Sequence, residues 1–226
     1  MKITYFGHSC FGIVSKQFSL LFDPFIQYND LAKGIDVAKI VCSHMLISHG
    51  HEDHVADAMQ IAKNNDSLLI SNYEIIEWFK KNGYDKGHGM NLGGKYRFEF
   101  GTVKYVNAIH SSVLPDGTYG GNPGGFCLNF DEKKFYYAGD TALYSDMKLI
   151  AELEQPEFAF LPIGDNFTMG VDDAIIAAKY LNCSKIIGMH YDTFPPIKIN
   201  QQEAIEKFKT AGKELILINI GSSIEL

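Results

Sequence analysis

Short apolar segments recur along the whole chain, and in its second half each is preceded by an amphipathic segment of helical length. The spacing predicts helices over 146–154, 171–182 and 201–211, before strands over 157–162, 185–189 and 215–219. The first half reads as a strand at 3–6, in an N-terminus that alternates as a strand from Met1 to Val14, and further strands at 19–22, 45–48 and 68–71. Between and after them lie an amphipathic stretch at 55–64 and a helix at 73–81. Residues 95–100, 102–108, 125–131 and 133–138 read as antiparallel strands, the last two joined by a tight Asp131-Glu132 turn. Two mixed sheets with helices outside would bury every one of these faces, an α/β architecture. No Pro/Ser linker or charge block divides the chain, so one domain over residues 1–226 is expected.

Composition removes several alternatives. With 46% hydrophobic and 21% charged residues the chain is too apolar for intrinsic disorder. Twenty basic against 27 acidic residues give a net charge of −7, the wrong sign for gripping long nucleic acid. Cys10, Cys42, Cys127 and Cys183 form no CxxC pair and read as reduced core residues. Gly7 and His8 interrupt the stretch a signal peptide would need, and no apolar run approaches membrane-spanning length, so a cytoplasmic protein is expected.

The chemistry concentrates in Ser48-His49-Gly50-His51-Glu52-Asp53-His54, directly after an apolar strand. In a chain with 8 histidines this H-x-H-x-D-H run has a chance frequency on the order of one in a thousand. Neutral imidazoles and carboxylates are what a borderline cation such as Zn²⁺ takes, and i, i+2, i+4, i+5 spacing on a turn can serve two adjacent ions. Three more candidates stand at strand ends: His110 after 103–109, Asp140 after 136–139 and His190 after 186–189. Seven candidate ligands exceed the four of a closed structural zinc site and suit two divalent ions with open positions, which points to catalysis.

In this order, HGHEDH, His110, Asp140 and His190 resemble the metallo-β-lactamase superfamily of binuclear metal hydrolases. The strings Gly7-His8-Ser9-Cys10, Asp23-Pro24-Phe25, 121–125, Phe167-Thr168-Met169 and 190–195 resemble its metal-dependent hydrolases related to ascorbate-6-phosphate lactonase. The resemblance implies a four-layer αββα sandwich with the site at one edge. It implies that His49, His51 and His110 hold one ion, Asp53, His54 and His190 the other, and that Asp140 bridges both. Ser48 stands where the superfamily usually has Thr, and Ser43 where an acidic supporting residue is common.

The expected reaction is attack of a metal-bridging hydroxide on a small ester, lactone or phosphodiester, the net positive cluster favouring an anionic or phosphorylated substrate. Asp53 would orient the nucleophile and His8 would contact substrate or protonate the leaving group. Asp165, Thr168 and Met169 are expected to line the pocket by resemblance, and Asp23 reads as a turn or supporting carboxylate. His44 and His88 read as packing residues. Zn²⁺ suits the nitrogen-rich set, and Mn²⁺, Fe²⁺ or Ni²⁺ remain alternatives. The rival functions are a nuclease or cyclic-nucleotide phosphodiesterase, a sensor that binds metal or ligand without turnover, and, last, redox di-iron chemistry. Lactonase relatives assemble, which keeps a homo-oligomer open, and no segment marks an interface.

Overall fold

The computed structural model describes all 226 residues. Strands β1 (Lys2–Gly7), β2 (Cys10–Val14), β3 (Ser19–Phe22), β4 (His44–Leu46), β5 (Leu68–Asn72) and β6 (Gly87–Met90) build a first sheet. A second is built from β7 (Lys95–Phe98), β8 (Gly101–Asn107), β9 (Gly124–Phe130), β10 (Lys133–Tyr137), β11 (Phe158–Pro162), β12 (Lys185–Met189) and β13 (Glu214–Ile216). The final strand, β14 (Ser223–Glu225), returns to the first sheet, giving orders β14-β1-β2-β3-β4-β5-β6 and β13-β12-β11-β10-β9-β8-β7. In each sheet an antiparallel part joins a parallel part, at β3 and at β10.

Alternation along the strands makes the layers. Leu20, Phe22, Leu46 and Ile70 point between the sheets, where they meet Phe126, Phe135, Tyr137 and Phe160. Their neighbours Leu21, Met45 and Leu69 point the other way, onto Ile61 and Ala62 of α2 (Ala58–Asn65) and Ile75 and Phe79 of α3 (Tyr73–Lys81). The outer face of the second sheet is covered by α4 (Met147–Leu153), α5 (Val171–Tyr180) and α6 (Gln201–Thr210), through residues such as Met147, Ala174, Ala177 and Phe208. The result is helices, sheet, sheet, helices. No helix is long and apolar enough to cross a membrane. All four cysteines are free and buried.

Three readings of the sequence are corrected. Met1–Val14 is two strands, because Gly7 (φ 110°) and His8 (φ 58°) reverse the chain between β1 and β2. The 55–64 segment starts earlier and is split into α1 (Glu52–Val55) and α2 at Ala56-Asp57, where the Asp57 carboxylate turns aside to accept Ile26 N–H and Gln27 N–H. Strands β6 and β14 are additional; each is short, and β6 carries two glycines that hide its alternation. The Asp131-Glu132 turn is tight as expected, with both residues at positive φ as a two-residue hairpin requires.

Candidate metal centre

The ends of β1, β3, β4, β8, β10 and β12 open onto one edge of the sandwich, and the candidate residues lie in the loops that leave them. After β4 the chain runs through Ser48 and His49, and His51 starts the short helix α1 that carries Asp53 and His54. Asp140 follows β10 after Gly139, whose φ is 60° and where a Cβ would sit 2.6 Å from Ser48 Cβ; the residue that sets Asp140 against the ligand loop has no room for a side chain. His190 follows β12 at φ 55°, its N–H donating to the His8 carbonyl.

All seven expected ligands come together. His49, His51 and His110 form one donor cluster, with His49 Nε2 and His51 Nδ1 3.0 Å apart. Asp53, His54 and His190 form another, and His8 joins it. Asp140 stands between the two: its Oδ2 is 3.6 Å from His110 Nε2 and 3.0 Å from His190 Nε2, and its Oδ1 is 3.4 Å from His54 Nε2.

Asp23, at the end of β3 and at φ 41°, organises this edge. Fully buried, it accepts Ser48 N–H at 2.7 Å, the Ser48 hydroxyl at 2.6 Å and His54 Nδ1–H at 2.8 Å, while the Tyr137 hydroxyl lies 2.8 Å away. A carboxylate only accepts, so the proton on His54 is at Nδ1 and Nε2 faces the site. Because the Ser48 hydroxyl gives its one proton to Asp23, it accepts from His49 Nδ1 at 2.9 Å, which also leaves His49 Nε2 for the site. Asp23 thus sets the tautomer of one histidine in each cluster. Ser43 has no part in this: it pairs with Ser19 and His44 at the start of β4, the opposite end from the ligand loop.

The electrostatics suit cations. Burial, reinforced by the charge of His54, pushes His49 well below the usual histidine range and lowers His51; burial lowers His110 despite the nearby Asp140. Burial would raise Asp53 and Asp140, but neighbouring histidines hold both below the ordinary carboxylate range. His54 is raised: burial opposes its charge, and Asp140, Asp23 and Asp53 together outweigh burial. Three carboxylates therefore converge where no Lys or Arg pairs with them. His54 Nε2 and Asp140 Oδ1 are buried without a hydrogen-bond partner, although 3.4 Å apart. Orphaned, convergent imidazole and carboxylate groups fit divalent ions, which would displace the proton on His54 Nε2.

The other expected residues are dispersed. His8 is fully buried, lowered to about 4 by burial and by His190, and its ring nitrogens contact Thr193 and Asp53. Met169 is buried and donates its N–H to the carbonyl of Thr141, the residue after Asp140. Thr168 turns its hydroxyl onto the Met169 carbonyl. Asp165 bonds Asn166 N–H and lines a separate cleft of about 500 Å³ with Val171, Lys198 and Glu203. His44 and His88 pack on Phe100 and Tyr96, away from the clusters. Sequence reasoning missed Tyr137 and Thr193; only the place of Thr193, three residues after His190, could have drawn notice.

Known proteins resemble the chain in both sequence and fold. The sequence profile of the Beta-lactamase superfamily domain matches residues 2–190. A UPF0173 metal-dependent hydrolase of Flavobacterium johnsoniae is 51% identical over 226 residues, covering both chains completely, and one of Christiangramia forsetii is 50% identical over 227 residues with the same coverage. Among solved structures, Igni18, a metallo hydrolase of the archaeon Ignicoccus hospitalis, matches with a TM-score of 0.89 and 33% identity, covering all of this chain and 98% of that one. Half of all positions shared along the full length of a relative leaves no room for a different ancestry: the chain belongs to the UPF0173 metal-dependent hydrolases of the β-lactamase superfamily.

Proposed function

We propose that this chain is a binuclear hydrolase of a small ester, lactone or phosphodiester, with anionic or phosphorylated compounds the first to test. The observation that carries the reading is Asp140, one carboxylate within 3.6 Å of His110 Nε2 in one donor cluster and 3.0 Å of His190 Nε2 in the other. His49, His51 and His110 would hold one ion, Asp53, His54 and His190 the second, with Asp140 shared. Bound there, divalent ions supply Lewis acidity, polarising the electrophile and lowering the pKa of water to roughly 7. Zinc is the proposed metal, with manganese, iron and nickel as its competitors.

The chain's own groups do the rest. Asp53, whose side chain is 26% exposed, uses Oδ2 toward His8 and turns Oδ1 to the site, where it would hold an ion and orient the attacking water. The backbone N–H of Ile109, beside His110, is fixed on the Thr141 hydroxyl, and Met169 N–H on the Thr141 carbonyl, so the loops after β8, β10 and β11 are tied together around Asp140. Ile109 and Phe167, both about half exposed in these loops, offer apolar surface to a small molecule. A polynucleotide would need a cationic track, and the chain has a single arginine, Arg97, on the far edge strand β7. A cytoplasmic setting fits the reduced cysteines.

The test is metal content per chain after reconstitution, followed by turnover of ester, lactone and phosphodiester panels. About two ions per chain with turnover is expected, and Asp140→Ala should lose metal and activity together. Absence of metal after every reconstitution, or an Asp140→Ala variant with full metal and full turnover, would sink the reading.

A further inference from the structure

Of the three histidines gathered around Asp53, His8 is oriented differently from the other two. His54 Nε2 and His190 Nε2 turn toward Asp140, whose oxygens they approach to 3.4 and 3.0 Å. His8 Nε2, by contrast, is aligned on Asp53 Oδ2 at 3.0 Å, and on the other side of the ring Nδ1 lies 2.6 Å from Thr193 Oγ1.

The surroundings hold this arrangement from every side. His8 is itself in the left-handed region, its carbonyl accepting from Tyr5 Oη at 3.0 Å and from His190 N–H at 2.9 Å. Phe25 and Phe194 stand edge-on to its ring at 5.4 and 5.3 Å and shut out water. Thr193 is braced by its neighbour Asp192, which accepts Ile199 N–H at 2.9 Å and Gln201 Nε2–H at 2.7 Å. A histidine serving only as core filler needs neither a positive φ nor a partner at both nitrogens.

We propose that Thr193, His8 and Asp53 form a clamp: the Thr193 hydroxyl donates to His8 Nδ1, leaving Nε2–H to donate to Asp53 Oδ2 and fix that carboxylate among its fellow donors. His8 is a positioning residue, neither a ligand nor the proton donor to a leaving group. The clamp ties the N-terminal turn, the HGHEDH loop and the loop after β12 to one ligand. It rests on the assignment of Asp53 as a metal ligand made above.

The experiment is Co²⁺ titration of the metal-free protein in competition with a chelator, with the cobalt absorption spectrum recorded, for the wild type and His8→Ala, His8→Gln, Thr193→Val and Thr193→Ser. The wild type should take two ions. His8→Ala should keep one ion at unchanged affinity and bind the other about 10- to 100-fold more weakly, the usual cost of losing a ligand's supporting partner. Thr193→Val should shift the same ion in the same direction, and Thr193→Ser, which keeps the hydroxyl, should restore it. His8→Gln should recover part of the loss, since its amide N–H can reach a carboxylate. Thermal unfolding of the metal-free forms separates misfolding from weakened binding; if His8→Ala does not fold, the Thr193 pair decides.

Two results would overturn the clamp. One is wild-type affinity for both ions in His8→Ala or Thr193→Val. The other is outright loss of an ion in His8→Ala with an altered wild-type-like spectrum absent and Thr193→Val unaffected, which would make His8 a ligand. A wild type that takes up no cobalt would instead fell the underlying metal assignment.

Discussion

At Asp23 a carboxylate without solvent access takes three hydrogen bonds and stands 2.8 Å from the Tyr137 hydroxyl. Asparagine has the same shape but turns an NH₂ toward donors. Asp23→Asn should therefore lower the stability of the metal-free protein by about 3 kcal/mol in urea unfolding. Metal affinity should fall about 10- to 100-fold because His49 and His54 lose their fixed tautomers. Unchanged affinity would show that Asp23 serves folding alone. The Asp23-Pro24 dipeptide suggested a turn or support role in the sequence, and the carboxylate performs the support. Tyr137 was not legible, because along β10 it is one more apolar residue facing the core and only the sheet-to-sheet packing aims its hydroxyl at Asp23. His44 and His88 pack, as expected, and neither stands at a strand end that faces the clusters.

The element that positions Asp140 is the turn after β10. Gly139 has no space for a methyl group and adopts a positive φ, so Gly139→Ala should cost about 2 kcal/mol or more and push Asp140 and Ser48 apart. Urea unfolding together with metal stoichiometry checks it; a variant of wild-type stability that still binds two ions would mean the turn can adapt. Elements were the most legible level of the fold. The helix at 73–81 and the strand at 185–189 were read with their observed ends, since strong periodicity is flanked by Asn72 as a cap and by charged or polar residues. What was not legible depended on partners. Gly-rich β6 is a strand because β5 lends it a ladder, and β14 because β1 does. The break at Asp57 exists because its carboxylate is needed by the 24–29 loop, a long-range demand that helical periodicity does not carry.

For the whole molecule, the site is a joint between two sheets. His49, His51, Asp53 and His54 belong to loops of the first sheet, whereas His110, Asp140 and His190 belong to loops of the second. Ions held by both would brace the sandwich. At a free metal concentration of 100 times Kd, binding to the folded state alone contributes about 2.7 kcal/mol. For a chain of 226 residues this corresponds to a rise in Tm of about 5–11 °C. Differential scanning calorimetry with and without a chelator checks it, and an identical Tm in both would mean that the folded state does not bind ions in preference to the unfolded chain.

The return of β14 to the first sheet means that the beginning and end of the chain meet in one layer. During translation the HGHEDH loop emerges long before its partners: 136 residues separate His54 from His190, about 7–27 s at 5–20 residues per second. Until then a nascent chain lacks His190 and the Thr193 brace even after His110 and Asp140 have been made, and β1 has an open edge. A product truncated before His190 carries the recognisable motif and still lacks part of the centre, so loading with two ions reports that synthesis has passed His190.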